Sequence, residues 1–489
     1  MNSLEEETGR LRKSVVEFSR LYLGNRMGLV GLLLLLFFVG MALSAPYVTP
    51  YDPQYSMQLA NFRAKPFWLD QKLPPNIYFI KDPGFDTPES LTNWEVTSTG
   101  SASIGWTGNF GYPGIPLVEE GSGPGAIQIS MSENSQGVTQ LRDPFNYQYK
   151  PPRRFSVHMA YKTEVTGDAT WKIEVLVQKV DGEQLLMWTS GEQIKSLDWT
   201  IPRPFIDTND AVLRLRLFND LLGDASRIYD EEGDYSLILK VSTSSRDGNV
   251  NVYLDDVSLR IWGESFGYLG TDNYGRDIFT QLMYGSRISI IIGVFSALIA
   301  VVLGVLVGLG SGYIGGWVDE LTMRINDILL TIPGLPFLIV LTAVLGPSVW
   351  SVIILIGFLG WMGIARLIRS QVLSLKTKAY VEASKASGGG TWHIIRVHLI
   401  PNVMTMAYTQ LALTVPGAIV TEAALSFLGL GDPFLQTWGK MLHDVQYYGA
   451  VAEWWWAVPP GICIALLSMS FVFIGYAMDE IFNPKLRGR

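Results

Sequence analysis

The chain has 489 residues, of which 48% are hydrophobic, and a mean hydropathy of +0.22. It is too apolar for an ordinary soluble protein, so the composition predicts a membrane protein with a substantial soluble part. A net charge of −8 argues against a broad surface for nucleic acid or anionic lipid. The single cysteine, Cys463, excludes a disulfide framework and a cysteine-based metal site.

Six segments are apolar and long enough to cross a bilayer, which takes about 20 residues. The first follows a basic N-terminal region, but its length and the absence of a clear cleavage site from Pro46 onward favour a signal anchor over a cleaved signal peptide. Several of the segments contain Gly or Pro, which membrane helices tolerate. The predicted spans are Met27–Val48, Ile288–Tyr313, Ile328–Leu345, Trp350–Leu367, Met404–Leu428 and Trp455–Met478.

The distribution of Lys and Arg predicts the orientation of these spans. The N-terminus, the stretch 370–402 and the C-terminal tail are rich in basic residues, whereas 346–349 has none and 431–453 has only Lys440. Cytoplasmic loops carry the excess of basic residues, so both termini and the loop 370–402 are predicted to be cytoplasmic. The long stretch between spans one and two is therefore expected outside a plasma membrane that the chain crosses several times.

That long stretch has a different pattern. Polar and apolar residues alternate over Trp171–Val177, Leu213–Leu217 and Val250–Leu254, with turn signals at Asp181-Gly182 and Asp247-Gly248. Alternation of period two predicts short antiparallel strands with one buried face, and the regular turns predict a β-sandwich. The predicted organisation is a first span within 1–50, a linker over 51–79, the sandwich over 80–262 and a membrane core over 263–489.

The most informative cytoplasmic segment runs from Tyr380 to Asn402. It is expected to form a short helix, a break at its glycines and a second short amphipathic helix that ends at Pro401. Such an element would suit docking into a groove of a partner protein. The pattern alone is also explained, and slightly better, by a plain basic loop.

The same segment resembles the EAA loop of importer-type ABC permeases. The resemblance rests on Glu382-Ala383, on a glycine six residues after the glutamate, and on the closing Ile400-Pro401. Two departures are Ser384, where the third position is usually Ala, and Leu399-Ile400, where Ile-Leu is more usual. The resemblance implies that ATPase coupling is carried by Glu382, Ala383, Ser384, Gly388, Ile400 and Pro401.

Further motifs resemble the second permease of dipeptide, oligopeptide and nickel-type importers. They are Leu269–Asp277, Tyr284–Ser289, Gly312–Gly316 with Asp319, Met323, Arg324 and Asp327, Arg366–Gln371, and Glu422–Gly431 with Trp438-Gly439. The resemblance implies a mostly α membrane protein, the type I permease fold of six transmembrane helices, with the sandwich inserted between the first two. It also implies a homologous permease, two ATPase subunits and an extracellular substrate-binding protein as partners.

The chain has no Gly-x-x-x-x-Gly-Lys-Ser/Thr phosphate-binding loop. It is therefore expected to be a non-catalytic transport subunit without a cofactor of its own, and ATP and magnesium are expected on the partner ATPase subunits.

The two ends of the insert, Asp82–Asp86 with Asn93-Trp94 and Val252–Leu259, resemble the first and last strands of galactose-binding-like jelly rolls. Such modules often hold a structural calcium where these ends meet, so Asp86, Asp255 and Asp256 are candidate oxygen ligands, the alternative being turn and strand-edge residues. A sugar-stacking surface and core packing are the two interpretations of four tryptophans, and core packing is favoured for most of them. The four tryptophans are Trp106, Trp171, Trp188 and Trp199.

Two other sets of residues call for an interpretation. His393 and His398 are five positions apart, which predicts different helix faces and disfavours a zinc pair. Glu422 lies within the fifth predicted span, where carboxylates are costly and usually functional or paired. It is a candidate gate or permease-interface residue, with structural pairing as the equal alternative.

The substrate remains open between two classes. The family resemblance implies peptides first, and the sugar-module-like insert makes oligosaccharides the alternative, with the insert aiding recognition of sugar or of the binding protein. A secondary transporter is disfavoured because the span interiors are nearly free of charge. A membrane-anchored carbohydrate-binding protein would need one anchor rather than six spans.

Overall fold

The computed structural model describes residues 19–80, 84–108, 110–113 and 123–482. Its contacts divide the chain into two compact units, one formed by Met57–Arg276 and the other by Met1–Ser56 together with Asp277–Arg489. Within the described residues, the first unit is mostly β-structure and the second is helical.

Five helical stretches of the described chain are long and apolar enough to cross a membrane, and a bent pair of helices makes up to six. Five of the six predicted segments, all but the third, correspond to these stretches. The helices are α1 Arg26–Val48, α2 Ala211–Phe218 in the β-unit, α3 Ile278–Ile314, α4 Gly316–Thr331, α5 Gly334–Leu345, α6 Val349–Leu375, α7 Ala379–Ala386, α8 Thr391–Ile394, α9 Ile400–Phe427, α10 Trp438–Tyr447 and α11 Trp454–Phe482.

Helices α3 and α6 pack closely because a row of glycines on α3 lies against a row of aliphatic side chains on α6. A Cβ at each of three glycines of α3 would come within 2.6–2.9 Å of a side chain of α6, so only a glycine permits this approach. Both stripes repeat every four residues, which places their members on one helix face. The pairs are Gly304 with Ile364, Gly308 with Ile368, and Gly312 with Val372.

Helix α3 begins at Ile278, well before the predicted start of the second span at Ile288. The Asp277 side chain caps it by accepting hydrogen bonds from the Thr280 backbone N–H at 2.9 Å and hydroxyl at 2.6 Å. Hydropathy placed the start too late because the first turns contain polar residues such as Gln281, which is buried within the protein.

The third predicted span, Ile328–Leu345, is wrong as a single helix. The chain breaks between α4 and α5, which meet at 90°. Proline has no backbone N–H and disfavours helical geometry in the residue before it; Ile332, which precedes Pro333, accordingly has the extended torsions φ −76° and ψ 128°. The apolar composition of the stretch hid this break.

The β-unit contains two antiparallel sheets. One has seven strands in the order β10-β6-β12-β4-β3, with β1 on β12 and β9 on β6, and the other has five in the order β2-β5-β11-β7-β8. The strands are β1 Ile77–Tyr78, β2 Glu95–Gly100, β3 Ser103–Thr107, β4 Ala126–Met131, β5 Ser135–Tyr147, β6 Phe155–Val165, β7 Asp168–Gln178, β8 Gln184–Thr189, β9 Leu197–Thr200, β10 Ile206–Asp207, β11 Gly233–Asp247 and β12 Val250–Ile261.

Residues from both sheets form one hydrophobic core, as expected of a sandwich. The predicted strands at Trp171–Val177 and Val250–Leu254 lie within β7 and β12. The predicted turns hold Gly182 and Gly248 at φ 87° and 129°, a conformation that favours glycine. Packing also accounts for three of the four tryptophans, because Trp171 and Trp188 belong to this core and Trp106 is partly buried against it.

The strand predicted at Leu213–Leu217 is wrong, because these residues form helix α2. The Asp210 side chain caps its first turn, accepting from Val212 N at 2.7 Å and Leu213 N at 3.4 Å. Asn219 ends it in the left-handed conformation, with φ 51°. The alternation of leucine and arginine matched a strand, yet Leu213 is buried whereas Leu215 is 48% exposed.

Candidate functional site

The predicted cytoplasmic segment comprises α7, a glycine turn and α8, and we refer to residues 379–401 as the docking segment. One face of it is anchored: Val381, Ile394 and Leu399 are buried in a cluster that also contains residues of α3, α6 and α9. The opposite face is exposed, with Trp392 at 70% and Tyr380 at 44%. The segment is therefore fixed to the helical unit and still presents a free surface.

Glycine is required at the turn after α7. Gly388 has φ 82°, and the Gly389 backbone N–H donates to the Ser384 carbonyl at 2.9 Å. This is the hydrogen-bond pattern of a helix that ends on a glycine in the left-handed conformation. A Cβ at Gly389 would lie 2.7 Å from the Ser384 carbonyl oxygen, so the turn is also tightly closed.

Glu382 lies in the first turn of α7 and is exposed. Its carboxylate forms no hydrogen bond or ion pair with any residue that the structure describes. Ala383 is exposed beside it and Ser384 is half-buried. A charged residue on the exposed face that has no side-chain hydrogen bond or ion pair with the described residues is available to a partner.

The predicted end of the second short helix at Pro401 is wrong. Helix α8 continues through a π-turn, Ile395–Leu399, into the long helix α9. Pro401 occupies the first turn of α9, and the Ile400 N–H donates to the Ile395 carbonyl five residues earlier. Proline cannot donate the normal helical bond, and a π-turn re-routes the ladder at that point.

The π-turn also overturns the expectation that His393 and His398 lie on different helix faces. Their ring centroids are 6.0 Å apart, and the Tyr380 ring lies 5.7 Å from that of His398. The wider turn brings positions five apart onto one side. Within the described ranges, no group of three or more His, Cys, Asp and Glu side chains could hold a metal ion.

Two ion pairs join α4 to α6, the helix that precedes the docking segment. Arg369 donates from Nε and Nη2 to the two carboxylate oxygens of Asp319 at 2.5 and 2.6 Å. Arg366 pairs with Asp327. The sequence identified these four residues as family motifs but gave no sign of which pairs they form, because α4 and α6 are separated by the bend and by α5.

Glu422 is 2% exposed in α9, and its Oε1 accepts a hydrogen bond from Ser426 Oγ at 2.7 Å. The Thr437 side chain is a second hydrogen-bonding neighbour of this carboxylate. Helix α10 packs against this part of α9, where a Cβ at Gly439 would lie 2.8 Å from the Cα of Ala423. The structure thus brings together the Glu422–Gly431 and Trp438-Gly439 motifs.

The predicted calcium ligands lie in the β-unit. Asp255 and Asp256 are fully buried in β12, and the Asp255 carboxylate accepts from the Tyr112 N–H at 2.6 Å and the Asp256 N–H at 2.8 Å. Burial, with smaller contributions from the nearby charges of Asp256 and Asp86, raises the pKa of Asp255 to about 7, although the two backbone hydrogen bonds lower it. The assignment of Asp86, Asp255 and Asp256 as calcium ligands stays a prediction.

Several helices of membrane-crossing length define a multi-pass membrane protein. Residues 300–488 match the family of the binding-protein-dependent transport system inner membrane component, and residues 17–75 match the N-terminal TM domain of oligopeptide transport permease C. The chain belongs to this family of inner-membrane permeases of ABC importers. Strands β1 to β12 lie outside both matched regions.

Three curated relatives illustrate the similarity. The chain is 42% identical to the dipeptide permease protein DppC of Bacillus subtilis over 45% of its own length and 69% of the relative. It is 42% identical to the oligopeptide permease protein OppC of Bacillus subtilis over 45% and 72%. It is 36% identical to DppC of Alkalihalophilus pseudofirmus over 51% and 80%.

Two solved structures were also matched. The MetNI methionine ABC transporter, in an inward-facing conformation, is 20% identical over 41% of this chain and 94% of that chain, with a TM-score of 0.35. The carbohydrate-binding module TmCBM61, in complex with β-1,4-galactotriose, is 17% identical over 37% of this chain and 97% of that chain, with a TM-score of 0.23.

Proposed function

We propose that the chain is one of two homologous permease subunits that together form the translocation path of an importer for dipeptides and oligopeptides. Two ATPase subunits hydrolyse ATP with magnesium, a binding protein outside the membrane delivers the peptide, and this subunit is not itself an enzyme. The observation that carries the proposal is the docking segment, which has one face anchored in the helical unit and the other exposed with Glu382 unpartnered within the described residues. The dipeptide and oligopeptide permeases among its relatives support the substrate class.

The proposed arrangement has six spans, with the bent pair α4–α5 as the third. Both termini and the docking segment face the cytoplasm, and the β-unit is an insert on the outer side between the first and second spans. The basic residues of the N-terminus, of 370–402 and of the tail support this orientation.

The docking segment couples ATP hydrolysis to transport. Its exposed residues Glu382, Ala383 and Ser384 meet an ATPase subunit, and Gly388 sets the turn between its two helices. Closure of the ATPase dimer moves the segment, and Ile400 and Pro401 pass this motion into α9 because the helix is continuous there. The ATPase shifts the permease between its two states only by binding them with different affinity.

Glu422 acts at the outer end of α9, as a gate or at the contact with the second permease. A carboxylate that is 2% exposed within a predicted span supports such a role, and its hydrogen bonds with Ser426 and Thr437 fix its position.

The substrate class is tested on the reconstituted complex in proteoliposomes, with its own binding protein. Dipeptides and short oligopeptides are expected to stimulate ATP hydrolysis and to accumulate in the vesicles, whereas a matched panel of oligosaccharides is not. Stimulation by the oligosaccharides alone would overturn the peptide assignment.

The insert is accessory to the transport core, because the matched family regions lie on either side of it. Its ends are close together: the Gly263 N–H donates to Asn76 Oδ1 at 3.4 Å, so a short linker can replace residues 77–262. The shortened chain is expected to assemble with its partners and to lose affinity for the binding protein. Unchanged uptake and unchanged affinity would exclude a recognition role for the insert.

A further inference from the structure

A cleft in the helical unit, bordered by α3, α5, α6 and α9, has a volume of about 310 Å³ and takes no part in the contacts described so far. Its lining is uncharged and mixes aliphatic side chains with hydroxyl groups. The residues that matter here are Ser296, Leu338, Ile356, Thr414, Gly417 and Thr421.

The hydroxyl groups of this lining differ in whether they already have a hydrogen-bond partner. Thr414 and Thr421 donate to the backbone carbonyls of Gln410 and Gly417, each at 2.7 Å, which is the usual way that a helix satisfies a hydroxyl. Ser296 is 1% exposed, and its Oγ has no hydrogen-bond partner among the described residues. A buried hydroxyl without a partner is unfavourable, so this group favours an occupant of the cleft that can form a hydrogen bond.

Gly417 leaves the cleft open. A Cβ at this position would meet no atom within 4 Å, unlike the Cβ of the packing glycines of α3. An apolar cavity of about 150 Å³ is large enough to bind benzene. The cleft is larger and thus has room for an aromatic side chain.

We propose that this cleft receives an uncharged side chain of the transported peptide, with Ser296 Oγ hydrogen-bonded to the peptide backbone. The inference rests on the proposed peptide transport. The hydrocarbon tail of a lipid offers no hydrogen-bonding group to Ser296, which argues against lipid as the occupant. A charged side chain is disfavoured because the lining has no ionisable group to pair with it.

The test uses the complete complex in proteoliposomes and the dipeptides Ala-Ala, Ala-Trp and Ala-Asp as probes. Gly417→Leu places a side chain in the cleft, starting from a Cβ that meets no atom within 4 Å. Gly461→Leu is the matched control, since a Cβ there also meets no atom within 4 Å and Gly461 does not line the cleft. Overfilling is expected to lower Ala-Trp uptake about tenfold and Ala-Ala uptake less than about twofold. The control is expected to leave both unchanged.

Ser296→Ala is expected to raise KM for Ala-Ala and Ala-Trp about fivefold without changing the maximal rate, because it removes one hydrogen bond. Equal loss of Ala-Ala and Ala-Trp uptake in Gly417→Leu, or no loss of either, would overturn the inference. Failure of Gly417→Leu to assemble with its partner subunits would also overturn the inference, since the cleft would then be filled by the partner permease. A wild-type complex that transports none of the three dipeptides would instead overturn the proposed function.

Discussion

Arg369 of α6 holds Asp319 of α4 through two parallel hydrogen bonds, at 2.5 and 2.6 Å. Planar, two-point pairing is the strongest geometry available to an arginine and a carboxylate. The pair ties the first arm of the bent α4–α5 pair to the helix that leads into the docking segment. It therefore links these two elements directly.

Removing one partner of this pair is expected to destabilise the helical unit more than removing both. In Arg369→Ala the half-buried Asp319 carboxylate keeps its charge without its partner, so the double variant Arg369→Ala/Asp319→Ala recovers part of the loss. The expected coupling is about 1–3 kcal/mol. The measurement is a double-mutant cycle on the detergent-solubilised complex, followed by thermal unfolding.

The control pair lies on the same helix α4. Arg324 and Glu320 are 3.9 Å apart and both side chains are 74% exposed, so their coupling is expected to be close to zero. If the two pairs gave equal coupling energies, the Arg369–Asp319 pair would have no special mechanical role.

The cap of helix α2 gives a second prediction. Asp210→Ala removes the acceptor for two backbone N–H groups and is expected to destabilise α2 by about 1 kcal/mol, whereas Asp210→Ser keeps a capping oxygen and most of the stability. Hydrogen exchange of peptides covering 211–218 in the intact chain measures the effect. Equal protection in the two variants would mean that tertiary contacts alone hold the helix.

The buried carboxyl of Asp255 predicts how the β-unit responds to pH. Its pKa in the fold is about 7, whereas an unfolded aspartate titrates near about 4. The folded state therefore retains a proton that the unfolded state loses between these values. The contribution of this carboxyl to the free energy of unfolding is fully present below about pH 4 and is lost as the pH rises to about 7. Asp255→Asn is expected to reduce this dependence of stability on pH.

In Asp255→Asn the dependence of stability on pH is expected to shrink rather than vanish, because burial also raises the pKa of Asp143 to about 6. Thermal unfolding of the intact chain at a series of pH values, followed on the β-unit, measures it. Asp168→Asn, at an exposed position of β7, serves as the control. Parallel curves for the wild type and Asp255→Asn would contradict the assignment of the slope to this carboxyl.

The sequence was sufficient where one physical signal dominated. Hydropathy located five of the spans, and alternation located β7 and β12. It failed where a local signal opposed the pattern. The cap at Asp210 made a helix of alternating leucines, and Pro333 broke an apolar stretch that is long enough to span.

The docking segment shows the same division. Glu382 and Gly388 were identified from a motif, and the structure supplies the reason for the glycine in its φ of 82°. The π-turn before Pro401 was not predicted, because it depends on how the helix re-routes its hydrogen bonds around a proline. The pairing of His393 with His398 and of Arg369 with Asp319 depends on tertiary geometry that spacing does not reveal.

Coupling of this permease to an ATPase through the docking segment is tested with Glu382→Lys. The residue is exposed and unpartnered within the described chain, so folding and membrane insertion are expected to be unchanged. Glu320→Lys, at an exposed site of α4, is the control. The measurement is peptide-stimulated ATP hydrolysis and uptake by the complex in proteoliposomes. At least a tenfold loss of both is expected in Glu382→Lys and less than a twofold change in the control, on the scale of one lost charged contact (about 1.4 kcal/mol per factor of ten). Full stimulation and full uptake by an assembled Glu382→Lys complex would contradict coupling through this segment.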